Sequence, residues 1–190
     1  MIQVAQAGTD PAGPVELNFM DASASFKEGR LVVSNSKISR TWEWTGTGFL
    51  TVSLKEAATD REWCSGQTQY RSDWSFPGLI DNDTRAQIVS LTAEVSDDEG
   101  FSSEHIEVKA EIHYENLMAI RFLVWIYPEA PGVRTQLKVK ALHGMNRLPA
   151  KDLPARNEYI PLDWKGLDRR VIGYYNDTQR RNIANLDLLR

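Results

Sequence analysis

This 190-residue chain has one cysteine and three histidines, and neither sign of charge is in large excess. Cys64 is the only cysteine, which excludes a disulfide framework and a thiolate metal cluster. The formal net charge is −4, and general affinity for nucleic acid needs a basic surface instead. No apolar run reaches the roughly 18 residues of a membrane-spanning helix. The sequence therefore predicts neither a nucleic-acid partner nor a membrane partner.

The composition that remains is that of a soluble globular protein, with 42% hydrophobic and 25% charged residues. A chain of this length favours one large domain with a sizeable core. Residues 1–14, which end in GTDPAGP, indicate a flexible lead-in with little to bury. We expect the folded domain at residues 15–176.

The stretch 104–142 organises the rest of the chain. It begins with a strict period of two, which is typical of a half-buried strand. One face carries Ile106, Val108, Ala110, Ile112 and Tyr114, and the other carries Glu107, Lys109, Glu111 and His113. The next run, residues 118–127, is apolar on both faces around Trp125, so we expect a central strand that is covered on both sides. A third alternating run, residues 135–141, completes three adjacent antiparallel strands.

Shorter runs elsewhere predict further strands, at residues 15–19, 31–35, 38–44, 49–54, 87–95 and near 158–162 and 170–175. About ten short strands indicate an all-β protein, a large antiparallel β-sandwich. The pattern changes at residues 177–190. There Asp177 can cap a short C-terminal helix that carries Ile183, Leu186 and Leu189, and we interpret it as the start of a linker to a downstream domain.

Aromatic residues also occur in the irregular stretch 65–85, where they need either a core or a ligand. Tryptophan rings stack on the apolar face of a sugar while neighbouring polar groups bind its hydroxyls. On this basis we predict a carbohydrate-binding site that contains Trp63, Arg71, Asp73 and Trp74. The alternative is that Trp74 folds inward and closes one end of the sandwich, and the sequence favours this alternative slightly.

No residue pattern selects a catalytic pair, a metal site or a cofactor. Two acidic stretches, Asp97-Asp98-Glu99 and Asp81-Asn82-Asp83, are typical of solvated turns, and Cys64 has no recognisable partner for nucleophilic chemistry. The best acid–base candidates are His113 and Glu111, two residues apart on the polar face of one strand. A plain surface position is the more ordinary interpretation of that histidine.

Two segments resemble the N-terminal domain of α-galactosidase-type glycoside hydrolases. The segment 31–64 carries an N-x-x-I-x-R pattern at residues 35–40 and an L-x-x-x-x-T-x-x-E-W pattern at residues 54–63. The segment 125–135, WIYPEAPGVRT, is similar to the long central strand of that domain and the turn after it. The resemblance covers about two thirds of the chain and includes no catalytic signature. It implies a galactose mutarotase-like supersandwich that precedes a (β/α)8 barrel with both catalytic carboxylates.

Three hypotheses about function follow. The first is a non-catalytic N-terminal domain of a glycoside hydrolase, which supports and walls the sugar site of a downstream catalytic barrel. The second is a free-standing carbohydrate-binding module, and the third is a mutarotase-type epimerase that uses His113 and Glu111. The expected partners are a carbohydrate and the downstream domain of the same polypeptide. The hydrolase resemblance implies a periplasmic or extracellular location, although residues 1–7 lack the pattern of a secretory signal.

Overall fold

The computed structural model describes residues 13–64, 70–76, 79–80, 84–115, 117–142 and 157–158. Within these residues the protein is all-β, as the sequence predicts, and none of them forms a helix. No described helix is long and apolar enough to cross a membrane. The predicted C-terminal helix at 177–190, the predicted strand near 170–175 and the Asp81-Asn82-Asp83 turn lie outside the described residues.

Twelve strands are present in this part of the chain. They are β1 (Val15–Phe19), β2 (Ala22–Lys27), β3 (Arg30–Ser34), β4 (Ile38–Trp44), β5 (Phe49–Glu56), β6 (Arg61–Glu62), β7 (Trp74–Ser75), β8 (Gln87–Ser96), β9 (His105–Tyr114), β10 (Met118–Ile126), β11 (Val133–Ala141) and β12 (Asn157–Glu158).

The strands form two large antiparallel sheets and one small one. The first sheet has six strands in the order β1-β2-β3-β4-β5-β6, and the second has four in the order β11-β10-β9-β8. Strands β7 and β12 pair with each other as a two-stranded sheet. In both large sheets, strands that are adjacent in the sheet are also consecutive in the sequence, so each sheet is a simple meander. The predicted central strands are confirmed as β9, β10 and β11.

Tight turns set the register of the first sheet. Lys27 pairs with Arg30, so only Glu28 and Gly29 connect β2 to β3, and both have positive φ values, 52° and 76°. Two successive residues with positive φ define the turn type that matches the twist of a hairpin. A two-residue hairpin turn therefore connects β2 to β3.

The core lies between the two large sheets, and Phe122 of β10 occupies a central position in it. Its ring lies 5.9 Å from Trp42, 5.7 Å from Phe49 and 5.1 Å from Trp74, measured between centroids. Trp42 is fully buried, and the partly buried Trp44 packs against the same core. Large aromatic rings from four strands thus fill the space between the sheets.

The outer face of the four-stranded sheet is covered at its centre. Leu123 and Trp125 of β10 point away from the Phe122 side and are buried, which confirms that β10 is covered on both sides. The Arg134 guanidinium lies 4.5 Å from the centroid of the Trp125 ring. The sequence predicts Glu107 on a solvated face, and this is wrong: Glu107 pairs with Trp125 across the strands and is buried. Glu107 is buried because it lies next to Trp125, which is itself buried.

Asn35 joins the two sheets. Its Oδ1 accepts the backbone N–H groups of Lys37 and Ile38 at 2.8 and 3.0 Å, which closes the β3–β4 turn. Its Nδ2 donates to the carbonyl oxygens of Tyr127 and Ala130 at 2.7 and 2.8 Å, in the loop that follows β10. One amide side chain thus joins the β3–β4 turn of the first sheet to the loop that follows β10 in the second.

Candidate functional site

The predicted site residue Asp73 lies in the interior, where its carboxylate accepts four hydrogen bonds. Oδ2 accepts from Arg40 Nη2 at 3.1 Å, from Trp42 Nε1 at 2.9 Å and from the Thr51 hydroxyl, and Oδ1 accepts from the Thr51 backbone N–H at 2.7 Å. The Asp73 backbone N–H donates to the Phe49 carbonyl at 2.8 Å. Asp73, directly before β7, is thereby held against β4 and β5.

Two local features bring these partners to Asp73. Arg40 and Trp42 alternate along β4 and therefore face the interior together. The pairing of β4 with β5 contains a bulge on β5. Thr41 of β4 pairs with Ser53, whereas the next residue, Trp42, pairs with Thr51. The extra residue of this bulge places buried Thr51 beside Arg40, whose Nη2 donates to the Thr51 hydroxyl at 2.8 Å.

The electrostatics of Asp73 reflect this burial. Burial raises the pKa of the Asp73 carboxyl, whereas the positive charge of Arg40 and the hydrogen bonds from Thr51 and Trp42 oppose that rise. Arg40 has a side-chain exposure of only 7% and Asp73 one of 9%. The two opposite charges therefore stabilise each other in the interior.

Trp74 is a core residue, as the sequence slightly favours. Its exposed fraction is 3%, and its Nε1 donates to the Tyr114 hydroxyl at 2.8 Å. Tyr114 in turn donates to the Thr47 carbonyl at 2.7 Å, and burial raises the pKa of that phenol. Gly48 approaches the same place so closely that a Cβ atom there would lie 3.1 Å from the Trp74 ring and 2.5 Å from Ser72 Oγ.

The other two predicted site residues lie at the surface. Trp63 is partly buried directly after β6, with the Arg61 guanidinium 4.7 Å from its ring centroid. Arg71 is exposed, and its backbone carbonyl accepts hydrogen bonds from the hydroxyls of Thr45 and Thr47. Beside it, Tyr70 is 38% exposed. The four residues thus divide into an interior pair, Asp73 and Trp74, and a surface pair, Trp63 and Arg71.

Glu62 and Cys64 flank Trp63 and have different environments. The Glu62 carboxylate accepts from the Ser53 hydroxyl and from the backbone N–H groups of Leu54 and Cys64. Partial burial acts to raise the Glu62 pKa, but these hydrogen bonds outweigh it and the pKa is lowered. For Cys64, burial and the nearby Glu62 charge raise the pKa to about 11. The thiol is therefore protonated near neutral pH and is a poor nucleophile.

The acid–base candidates His113 and Glu111 lie close together, with 3.7 Å between His113 Nε2 and Glu111 Oε1. The Arg121 guanidinium of β10 donates to the other Glu111 oxygen at 3.2 Å. The three side chains occupy a partly exposed patch on the outer face of the four-stranded sheet. Glu111 is therefore shared between a histidine and an arginine.

A second histidine, His105, belongs to a denser cluster that the sequence analysis does not find. One ligand atom each of Asp98, His105 and Glu107 lie within 4.8 Å of one another. His105 and Glu107 share a face because they are two residues apart on β9, and this spacing is visible in the sequence. The approach of Asp98 depends on how the β8–β9 turn folds back. The predicted solvated turn at 97–99 is present, although Asp98 is only partly exposed.

Three comparisons, with protein-family models, with curated proteins and with solved structures, found no match to this chain.

Proposed function

We propose that this chain is a non-catalytic β-sandwich domain of a glycoside hydrolase, and that it supports and partly walls the sugar site of a catalytic barrel in the same polypeptide. One observation carries the proposal. Three polar side chains of the two family-like patterns, Asn35, Arg40 and Glu62, are used in hydrogen bonds to other parts of the sandwich. These structural roles support a scaffold function for the segments that carry the resemblance.

The chemistry of the other reactive groups points the same way. Asp73 is buried against Arg40, and the Cys64 thiol is protonated near neutral pH. Glycoside hydrolysis generally needs two carboxylates about 5–9.5 Å apart on either side of a substrate. The interior carboxylate Asp73 is surrounded by protein donors, so it has no open side for a sugar. The catalytic carboxylates in this proposal belong to the barrel.

The surface that meets sugar in this proposal contains Trp63 and Arg71, together with the exposed Tyr70. Aromatic rings beside an arginine suit the apolar face and the hydroxyls of a pyranose. Trp74 is not part of this surface because it is buried. Only two of the four residues predicted from the sequence therefore belong to the proposed sugar-binding surface.

The coding sequence downstream of residue 190 tests the first part of the proposal. We expect an alternation of strands and helices typical of a (β/α)8 barrel, and a downstream sequence without that alternation would refute the barrel. The isolated chain should release no product from chromogenic galactosides. Turnover that survives purification would show that the domain is itself catalytic.

Calorimetry with a panel of galactosides and plant oligosaccharides tests the sugar contact. We expect Trp63→Ala to weaken sugar binding at least tenfold. A tenfold change in Kd corresponds to about 1.4 kcal/mol, the size expected for the loss of one aromatic contact. Phe101→Ala is a matched control because Phe101 is an aromatic residue with 90% exposure in a different turn. Titrations without binding heat across the whole panel would refute the proposed sugar contact. Binding without a downstream barrel would instead favour a free-standing carbohydrate-binding module.

The epimerase alternative is supported by one distance, the 3.7 Å between His113 and Glu111. General acid–base chemistry at an anomeric centre needs such a pair within reach of the substrate. If the pair acts in this way, the protein should accelerate anomer interconversion in a polarimeter, and His113→Gln should abolish that effect. Equal rates with and without protein would exclude this alternative.

A further inference from the structure

We propose that Asp98, His105 and Glu107 form a binding site for a divalent transition-metal ion, with Zn²⁺ as the best fit. The proposal is independent of sugar binding. Its starting point is the His105 side chain, which is fully buried at 0% exposure and whose Nε2 has no hydrogen-bond partner. A buried polar atom without a partner is unusual and calls for a physical cause.

The environment of His105 determines which nitrogen can bind a metal. Nδ1 lies 2.8 Å from the Ser103 carbonyl oxygen, which can only accept, so Nδ1 carries the proton. In the neutral ring Nε2 then holds a lone pair. The His105 ring also packs against the Tyr127 ring, with 4.5 Å between centroids and 36° between the ring planes, which restricts its orientation. A protonated partner nitrogen and a fixed ring are the usual surroundings of a metal-binding histidine.

Asp98 is oriented towards the same point. Its Oδ2 accepts from the Ser102 hydroxyl at 2.9 Å, which leaves Oδ1 at 4.0 Å from His105 Nε2. This distance is too long for a hydrogen bond. Two ligands of one zinc ion, each about 2.0–2.2 Å from it, can lie up to about 4.4 Å apart. The separation therefore fits two ligands of one ion better than a direct contact.

Glu107 supplies the third ligand. Its side chain is buried on the same face of β9 as His105, and its Oε1 lies 2.7 Å from Lys109 Nζ. Lys109 also contacts Glu94, so it keeps an acidic partner when Glu107 turns towards an ion. Three carboxylates and one ammonium group leave this part of the sheet with a net negative charge. That charge favours a cation.

The set of one imidazole and two carboxylates determines the class of ion. Imidazole nitrogen suits Zn²⁺ and its first-row neighbours, whereas Ca²⁺ and Mg²⁺ prefer oxygen ligands alone. Asp98 is partly exposed, so an ion can reach the site from the turn side. Once bound, the ion would join the β8–β9 turn to the first residues of β9, and its stabilising effect would grow with free ion concentration.

The test uses the untagged full chain after treatment with a chelator. Zn²⁺ titrated by calorimetry should bind at one ion per chain and raise the melting temperature, with a rise that follows the logarithm of its free concentration. Co²⁺ at the same site should give visible d–d absorption bands more intense than those of aqueous Co²⁺, as is typical of a four-coordinate ion. Unchanged melting and no Co²⁺ bands would overturn the proposal. So would a response to Ca²⁺ or Mg²⁺ but not to Zn²⁺.

Variants locate the site. His105→Gln, Asp98→Asn and Glu107→Gln should each weaken Zn²⁺ binding at least about tenfold. Asp98→Asn is the decisive variant if the buried substitutions fail to fold, because Asp98 lies in a turn. The matched control is His113→Gln on the same face of the same strand, which should bind Zn²⁺ as the unmodified chain does. An Asp98→Asn protein with unchanged affinity, or equal losses in His105→Gln and His113→Gln, would refute the assignment.

Discussion

Arg40 and Asp73, which lie 33 residues apart in the chain, form an ion pair inside the sandwich with 3.1 Å between Nη2 and Oδ2. The pair joins strand β4 of the first sheet to the residue directly before β7. Thr51 and Trp42 complete the donors to the same carboxylate.

Asp73→Ala should destabilise the domain by about 3–5 kcal/mol, because it removes the buried carboxylate that accepts hydrogen bonds from Arg40, Trp42 and Thr51. Urea unfolding followed by tryptophan fluorescence measures the change. Glu43→Ala is the matched control, since it breaks an Arg30–Glu43 pair of 2.7 Å that is exposed to solvent. That exposed pair should contribute no more than about 1 kcal/mol. Similar losses in the two variants would contradict the role given to Asp73.

Trp74→Ala should cost about 3–5 kcal/mol, because it empties a large volume beside Phe122 and removes the hydrogen bond to Tyr114. Trp74→Phe keeps an aromatic ring and should cost clearly less. Thermal and urea unfolding of both variants give the comparison. A loss within about 0.5 kcal/mol for Trp74→Ala would mean that the ring is not core and would restore it to the sugar-binding surface.

Gly48→Ala should destabilise the domain by about 1–3 kcal/mol, because the new methyl group would meet Ser72 and the Trp74 ring. Gly132→Ala is the control, since nothing lies within 4 Å of a Cβ atom there. The control should stay within about 0.5 kcal/mol of the unmodified protein. Equal melting temperatures for the two variants would show that the close approach at Gly48 is relaxed at no cost.

Glu62 should contribute to loss of stability in acid. Its pKa in the folded protein is lowered from the ordinary value of 4.5, so folding favours the ionised form. Its stabilising contribution is present above pH 4.5 and is lost as the pH falls through the folded-state pKa. The effect is modest because Glu62 is largely exposed and solvent screens it.

Urea unfolding between pH 7 and pH 3 tests this prediction. Glu62→Gln should reduce the dependence of stability on pH in the acid range. Ser53→Ala, which removes one hydrogen bond to the carboxylate, should reduce it in part. A steeper acid dependence in Glu62→Gln would show that the sign is wrong.

Much of the fold follows from local sequence patterns. The alternation along β9 predicts which side chains face the core, and the doubly apolar run of β10 predicts a strand covered on both faces. Both are confirmed, because a period of two is fixed by the pleat of a single strand. The glycine in the β2–β3 turn is equally local. Glu107 is the exception, since its burial depends on Trp125 of the neighbouring strand.

The candidate sites could be predicted less well. Asp73 is an ordinary acidic residue in the sequence, and only its approach to Arg40 and Thr51 shows that it is a structural carboxylate. The four predicted sugar-binding residues divide between the interior and the surface for the same reason. Asp98 and His105 are seven residues apart across a turn, and the backbone path of that turn decides that they meet.

By itself, the sequence determined that the protein is an antiparallel all-β sandwich, where most of its strands lie, and which faces of β9 and β10 are apolar. These properties depend on residues one or two positions apart, so they can be read along the chain. The tertiary structure alone decided that Asp73 meets Arg40, that Trp74 packs on Phe122 and that Asp98 approaches His105. Such contacts join residues from different strands and turns, and their distances depend on register, bulges and the packing of one sheet on the other.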